Sequence, residues 1–566
     1  MSNKKINDFF NGRFFEIPKY QRGYAWEIRN VRDLFEDIQE AIESDSSHYI
    51  GTFVLSTANE GNNTYCIVDG QQRVATITMV INSIIQGLKK LDRNYYNRFY
   101  IKDEKYRLSL LGKDSLYFNE LLSGRKRIPN NKSQKLMSEA YEEILNQMSS
   151  IKDKKAFLKA VEKLEMMEFI EKSEGDAIRI FQTVNDRGKP LSNMEKAKSL
   201  LIYFSNRYLD KKLDGEINEK FGEMFDLYDD IKQIGEDSEI TLIRRVEFNE
   251  DDIMRYHFIT FSGENYDPTA NYVLNYLKRN LGELRKSERK NGFKKLHDFI
   301  TSYVDDLNNF FKIFKDTIEK TKDDKKYFKI FSLLGISATL YPLLMKLGMM
   351  GILDKNLPDD SNHTFLDLIE IIDVRIYKTR GTDPRADISR FVHTIREQNM
   401  SAQKIRDWLL EYNQKWMSKE QFQVALGTDF YGNWALPHMY VDYCEHLVKK
   451  PYPIKTLKEI VTKKPTIEHI LSQTPNFKFK SVNFKNEKEF LEYSELLGNL
   501  TILEKKLNSA VQNKNPLDKV SYYDKSLYKM TKKLSTSIAN KKKFRKEDII
   551  SRNKELSQYL SDRWWC

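Results

Sequence analysis

The run TYCIVDGQQRVATITMVINSIIQGLKKL, Thr64 to Leu91, changes its period halfway. Its first residues are β-branched, aromatic or apolar and stop at Asp69-Gly70, which reads as a strand closing on a tight turn. From Gln71 onward the apolar residues recur at helical spacing. Just upstream, YIGTFVLST (Tyr49 to Thr57) reads as a second strand. The first two hundred residues are therefore expected to be mixed α/β. From about residue 205 to 445 the pattern becomes long helices with charged connectors such as EKTKDDKKYF and DKNLPDDSNHT. The stretch KKPYPIK breaks that pattern and places a boundary near 445–460. There is no internal repeat and no Gly/Ser-rich linker.

Bulk composition supports an ordered, helix-rich chain. Its 23 glycines and 13 prolines are about 4% and 2% of 566 residues, below the usual roughly 7% and 5%. Such a length suggests two to four domains. Three distant cysteines (Cys66, Cys444, Cys566) imply no disulfide framework. The first twenty residues lack the apolar core of a signal peptide, so a cytoplasmic location is expected. Ile330 to Leu353 is apolar enough to suggest a membrane span. Lys346 lies well inside it, at a cost of about 2.5–3.5 kcal/mol near a span centre, and Pro342 interrupts it, so buried helices and no membrane contact are expected.

Charge is unevenly placed. From residue 451 onward there are 24 Lys+Arg against 13 Asp+Glu, an excess of 11 that equals the whole-chain figure, and the first 450 residues balance. A locally basic surface suits a polyanion such as DNA. A solvated lysine-rich helix face is the plain alternative, above all for NKKKFRKEDIISRNKEL.

The basic end also contains PTIEHILSQT, Pro465 to Thr474, with Glu468 and His469 side by side. Thirty residues on, Asn499 opens a second strand-like run, and Asn508 follows near a helix start. Strand with Glu-His, return strand beginning at Asn, then a helix carrying Asn is the order of a ββα-metal, or HNH (His-Me finger), nuclease. Phosphodiester hydrolysis needs a base to activate water, and neutral imidazole is suited to this near pH 7. His469 takes that role. Adjacent strand residues face opposite ways, so Glu468, with Asn508, would ligate a hard divalent cation such as Mg²⁺ or Mn²⁺. Asn499 would orient the imidazole. His438, Cys444 and His446 have a spacing that fits no standard zinc module. The basic run RIYKTRGTDPRADISR, Arg375 to Arg390, reads as a DNA-contacting loop or as a solvated turn.

At the other end, IPKYQRGYAW (Ile17 to Trp26), VDGQQR (Val68 to Arg73) and FQTVNDRGKPLS (Phe181 to Ser192) are dense in polar and glycine residues. A helix opening after Asp69-Gly70 leaves free N–H groups that accept an anion. Arg22, Arg73 and Arg187 could each grip phosphate. Asp69 could hold a metal-bound water or simply cap the helix. No Walker P-loop is present.

Those three segments, together with TIEHILSQ, LLGNLTILEKKLN and the final FRKEDIISRNKELSQYLSDRWW, resemble the GmrSD family of modification-dependent (type IV) restriction endonucleases. The resemblance implies a ParB/sulfiredoxin-like α/β domain over 1–205, a helical connecting region over 206–445 and an HNH-type nuclease domain over 446–566, within an α+β, helix-rich chain. It implies a nucleotide site at Asp69, Gly70, Gln71, Gln72 and Arg73, with Gln21 and Arg22 beside it. It further implies hydrolysis of a nucleoside triphosphate of undefined identity, sensing of modified DNA, and defence against phage. The expected partners are double-stranded phage DNA and nucleotide, with a homodimer left open. The family usually has proline where Ser472 stands. The competing expectation is a non-cleaving, NTP-dependent DNA-binding regulator with a degenerate nuclease module.

Overall fold

The computed structural model describes residues 2–566 other than 19–20, 22, 44–46, 58–62, 89–92, 111, 113, 126, 173–176, 178–191, 263–271, 288–292 and 475–476. The chain divides into two compact units, residues 1–233 with 268–308, and residues 234–267 with 309–566. The region expected to connect two domains, 206–445, contributes to both. The chain is α+β and helix-rich.

In the first unit, β1 (Ser2–Lys5), β2 (Phe14–Ile17), β3 (Tyr49–Thr57), β4 (Thr64–Asp69), β5 (Leu108–Leu110) and β6 (Glu165–Glu171) form a mixed sheet in the order β1-β6-β3-β4-β2-β5. The β3–β4 pair is antiparallel, whereas β4–β2 and β2–β5 are parallel. Helices α1 (Ile28–Glu43), α2 (Gln71–Gly87), α3 (Lys132–Ser150) and α4 (Lys154–Lys163) accompany the sheet. Helix α2 starts where the period changes. Every residue from Val74 to Ile85 is buried, which is why its apolar pattern is nearly continuous. The turn before it requires glycine. Gly70 has φ +93°, and a Cβ there would lie 2.4 Å from the Phe53 ring. Helix α5 (Asp214–Asp237) follows, and its residues 214–233 belong to this unit.

In the second unit the apolar run 330–353 is broken in two. A π-helical turn (Lys329–Leu334) ends at Gly335, which has φ +63°, and a helix (Tyr341–Met349) resumes after it. Both pieces are largely buried, and among the described residues no helix is long and apolar enough to cross a membrane. Within the 375–390 run Arg380, Arg385 and Arg390 are exposed, but Arg375 departs from the surface-loop reading. It is buried under the Trp565 ring, 4.3 Å from its centroid, and burial pushes its guanidinium down to about 10. Helix α6 (Leu436–Val448) scatters His438, Cys444 and His446 into separate environments. His438 Nε2 meets Glu370 Oε1 at 2.7 Å, Cys444 Sγ accepts from the Met530 amide, and the His446 ring lies against Tyr559.

Asp373 is fully buried and its Oδ2 has no hydrogen-bond partner. Burial pushes its carboxyl from 3.8 up to about 6, against the opposing pull of Lys378 and Ser337. A raised folded-state value means that the stabilising proton is held below pH 3.8 and lost as pH rises through about 6. The charged form then costs about 3 kcal/mol. Asp373→Asn should therefore match the wild type near pH 4 and unfold at a higher temperature at pH 7.5. Thermal denaturation at both pH values checks this.

Candidate active site

Strands β7 (Thr466–His469) and β8 (Leu500–Leu503) pair antiparallel, with Glu468 opposite Thr501 and His469 opposite Leu500. Helix α7 (Lys505–Val511) follows β8 directly, and α8 (Pro516–Tyr523) comes next. Strand alternation sends Glu468 and His469 to opposite faces, and each face is differently furnished.

On one face, Glu468 Oε1 accepts from Lys519 Nζ at 2.6 Å and from the Tyr523 hydroxyl at 3.2 Å. Lys519 is completely buried and also donates to the His469 carbonyl at 2.7 Å. Burial raises the Glu468 carboxyl and lowers the Lys519 ammonium, and their mutual attraction opposes both shifts. The cation that Glu468 holds here is thus a lysine. As arranged, the carboxylate does not fit a divalent ion unless Lys519 is displaced.

On the other face, His469 Nε2 lies 3.0 Å from Glu495 Oε2, and the Tyr431 ring sits 4.3 Å from the imidazole, tilted by 46°. Glu495 Oε1 accepts from Gln473 Nε2 at 2.9 Å. Burial pushes the Glu495 carboxyl up, but the hydrogen bonds from Gln473 and His469 outweigh it and hold it below the ordinary value.

Among the described residues Asn499 makes no hydrogen bond to the imidazole. It ends a 3₁₀ turn just before β8 and is fully buried, so its amide must satisfy the backbone around it. Its Nδ2 donates to the carbonyls of Leu471 (3.0 Å) and Ser494 (2.8 Å), and its Oδ1 accepts from the Leu471 amide (2.9 Å). It staples the exit from β7. Asn508 lies inside α7 and donates to Thr466 Oγ1 at 2.9 Å, so it too is tied to β7. Ser472, where the resemblance expects proline, donates to Asn513 Oδ1 at 2.8 Å and accepts from the Thr474 amide. Helix α9 (Lys546–Arg563) packs against the 3₁₀ turn that carries Asn499. Its Arg552 donates to the carbonyls of Gly498 and Leu500, so this basic stretch is partly structural. A Cβ on Gly498 would come within 1.9 Å of the Ile549 carbonyl oxygen, and only glycine permits that approach.

Among the described residues, two groups have donors close enough to share an ion, Asp360 with His363 and Cys566, and Asp37 with Glu40 and His48. Neither contains Glu468, His469 or Asn508.

In the first unit a cavity of about 380 Å³ is lined by Gln21, Gln71 and Gln72, with Tyr24, Leu110 and Met137 supplying apolar wall. Gln72 braces one side, accepting from the Ala25 amide and donating to the Gly23 carbonyl. Gln71 is buried, and its Oε1 has no hydrogen-bond partner. Asp69, Gly70 and Arg73 are not among the lining residues. Arg73 spends its guanidinium on the Ile50 and Thr52 carbonyls, each at 2.9 Å, and lies 3.5 Å from Asp69. The expected nucleotide segment is thus divided between a fold-holding set and a cavity-lining set. Arg22 and Arg187 lie outside the described residues. The cavity also borders Glu219, Glu223, Asp226 and Asp229 of α5, which no motif had marked.

Two family models match the chain, the GmrSD restriction endonuclease N-terminal domain over residues 4–202 and the GmrSD restriction endonuclease C-terminal domain over residues 416–559. The chain belongs to the GmrSD restriction endonuclease family. A search among curated proteins finds no match. As a GmrSD protein it is a restriction endonuclease, and DNA is its macromolecular partner. The GmrSD C-terminal match begins at residue 416, well before the boundary expected at 446. It takes in Tyr431, which touches His469. Glu495, Lys519 and Tyr431 were all missed in the sequence because each reaches β7 from an element at least 26 residues away in the chain.

Proposed function

We propose that this GmrSD protein is a modification-dependent, type IV DNA endonuclease acting in phage defence, with an HNH-type site at the β7–β8–α7 unit and a nucleotide-binding, NTP-hydrolysing first unit of ParB-like fold. One observation carries the nuclease reading. His469 stands at the end of β7 with Nε2 on Glu495, while its Nδ1 has no hydrogen bond among the described residues. An imidazole held by one nitrogen and open at the other can take a proton from water. The resulting hydroxide attacks phosphorus, the P–O ester bond breaks, and the products are a phosphomonoester and an alcohol. The net positive charge of residues 451–566 supports DNA as the substrate. A requirement for Mg²⁺ or Mn²⁺ belongs to the same proposal and is tested by chelation. Because Lys519 occupies Glu468, no step is routed through the metal.

The Glu468–Lys519 pair favours one alternative, a non-cleaving NTP-dependent regulator. Glucosylated, phosphorothioated and unmodified DNA, incubated with the protein, Mg²⁺ and each NTP, separate the two. Cutting confined to a modified substrate is the expected result, and no cutting of any substrate would leave the regulator.

For the nucleotide, the proposed contacts are Gln21, Gln71 and Gln72 in the cavity, with Asp69 at the adjoining strand end. Gln71→Ala should weaken NTP binding by about 1 kcal/mol, roughly fivefold in Kd. Titration calorimetry on the full chain checks it, and an unchanged Kd would move the nucleotide elsewhere.

A further inference from the structure

We infer that Glu495 is the positioning residue for His469, and that it selects Nδ1 as the atom that takes the proton. The inference rests on the reading of His469 as the base. A carboxylate only accepts hydrogen bonds when ionised. With Glu495 Oε2 at 3.0 Å from Nε2, the neutral imidazole carries its hydrogen on Nε2 and keeps its lone pair on Nδ1.

Glu495 is itself fixed at several points. Gln473 Nε2 donates to Oε1 at 2.9 Å, and the Ser494 hydroxyl donates to the same oxygen at 3.2 Å. The backbone carbonyl of Glu495 accepts from the Phe430 amide at 3.1 Å, which ties the carboxylate to the segment carrying Tyr431. The imidazole therefore has an acceptor on Nε2 and an aromatic ring 4.3 Å away. A base held this way has little rotational freedom to lose when substrate binds.

The proton balance follows from the geometry. Water gives one proton to Nδ1 as its oxygen bonds phosphorus, and the ring becomes an imidazolium whose Nε2–H still points at Glu495. The carboxylate offsets the new positive charge without itself taking the proton. The ester P–O bond breaks, the departing alkoxide is protonated by solvent water, and the imidazolium returns its proton to solvent.

The test uses the full chain and a DNA substrate already shown to be cut, with DNA and Mg²⁺ each titrated. Glu495→Gln, which keeps size and an acceptor but removes the charge, should lower kcat on the order of 10–100-fold. The KM for DNA and the Mg²⁺ concentration for half-maximal rate should not move. Gln473→Ala, which frees Glu495 without removing it, should give a smaller loss in kcat alone. A higher Mg²⁺ requirement in Glu495→Gln would make Glu495 a metal ligand and overturn the inference. So would wild-type kcat in Glu495→Gln while His469→Ala is dead. If His469→Ala cuts as well as wild type, the base assignment fails first, and that outcome is distinct from failure of Glu495 alone.

Discussion

His469→Ala is expected to lower the rate of DNA cleavage by on the order of 10²–10⁴, the usual contribution of a positioned general base. The loss should fall on kcat, because in the proposed mechanism the imidazole acts on water and other groups hold the DNA. The fold should survive the change. His469 touches the Tyr431 ring and Glu495, and Glu495 keeps its bond to Gln473 when the ring is gone. Circular dichroism and thermal unfolding should overlay the wild type within a few degrees. Single-turnover cleavage of the preferred substrate measures the effect, and a variant that still cuts at the wild-type rate removes His469 from the chemistry.

Lys519→Met should have the largest effect on stability. It leaves the Glu468 carboxylate buried, with the Tyr523 hydroxyl as its remaining hydrogen-bond donor among the described residues. Removing one partner of a buried ion pair typically costs about 3–5 kcal/mol, or on the order of 10 °C in unfolding temperature for a unit of this size. The pH dependence gives the cause away. Burial already raises the Glu468 carboxyl in the wild type, and Lys519 opposes that rise. Without the lysine the folded-state value climbs further. The variant should be least impaired at acid pH, where Glu468 is protonated, and lose ground as pH rises through the new value. Adding Glu468→Leu should recover most of the loss, since an apolar pair of similar volume is often as stable as a buried ion pair. Unfolding curves of the two single variants and the double variant, from pH 5 to 8, close the cycle. A Lys519→Met protein as stable as the wild type at pH 8 would show that the pair is dispensable.

The readable parts of this fold are those where a local pattern and a long-range contact agree. Strands β3 and β4 and the start of α2 could be placed to the residue because Gly70 and the change of period mark one boundary twice. The opposite facing of Glu468 and His469 was readable for the same reason, since alternation is a local property. What each faces was not. Lys519 is 51 residues downstream of Glu468, and Glu495 is 26 residues from His469. No spacing rule encodes such meetings. The asparagine expected to orient the imidazole is spent on the Leu471 and Ser494 backbone, because a buried turn has its own donors and acceptors to satisfy. Strand β6 escaped notice because its Glu168 is buried, and only the pairing with Arg13 makes that tolerable. In the first unit, motif density marked the segment 68–73 but could not tell which of its residues hold the turn and which line the cavity.

The two furnished faces of β7 also guard its alignment with β8. The pairing is only four residues long, which by itself defines a register weakly. A slip by one residue would exchange the faces. Glu468 would then meet Glu495, two carboxylates together, and His469 would meet the Lys519 ammonium. Both mismatches are repulsive once the ring is protonated, and the first is repulsive at any neutral pH. The charges therefore act as a key that admits one alignment, and the position of the imidazole is inherited from it.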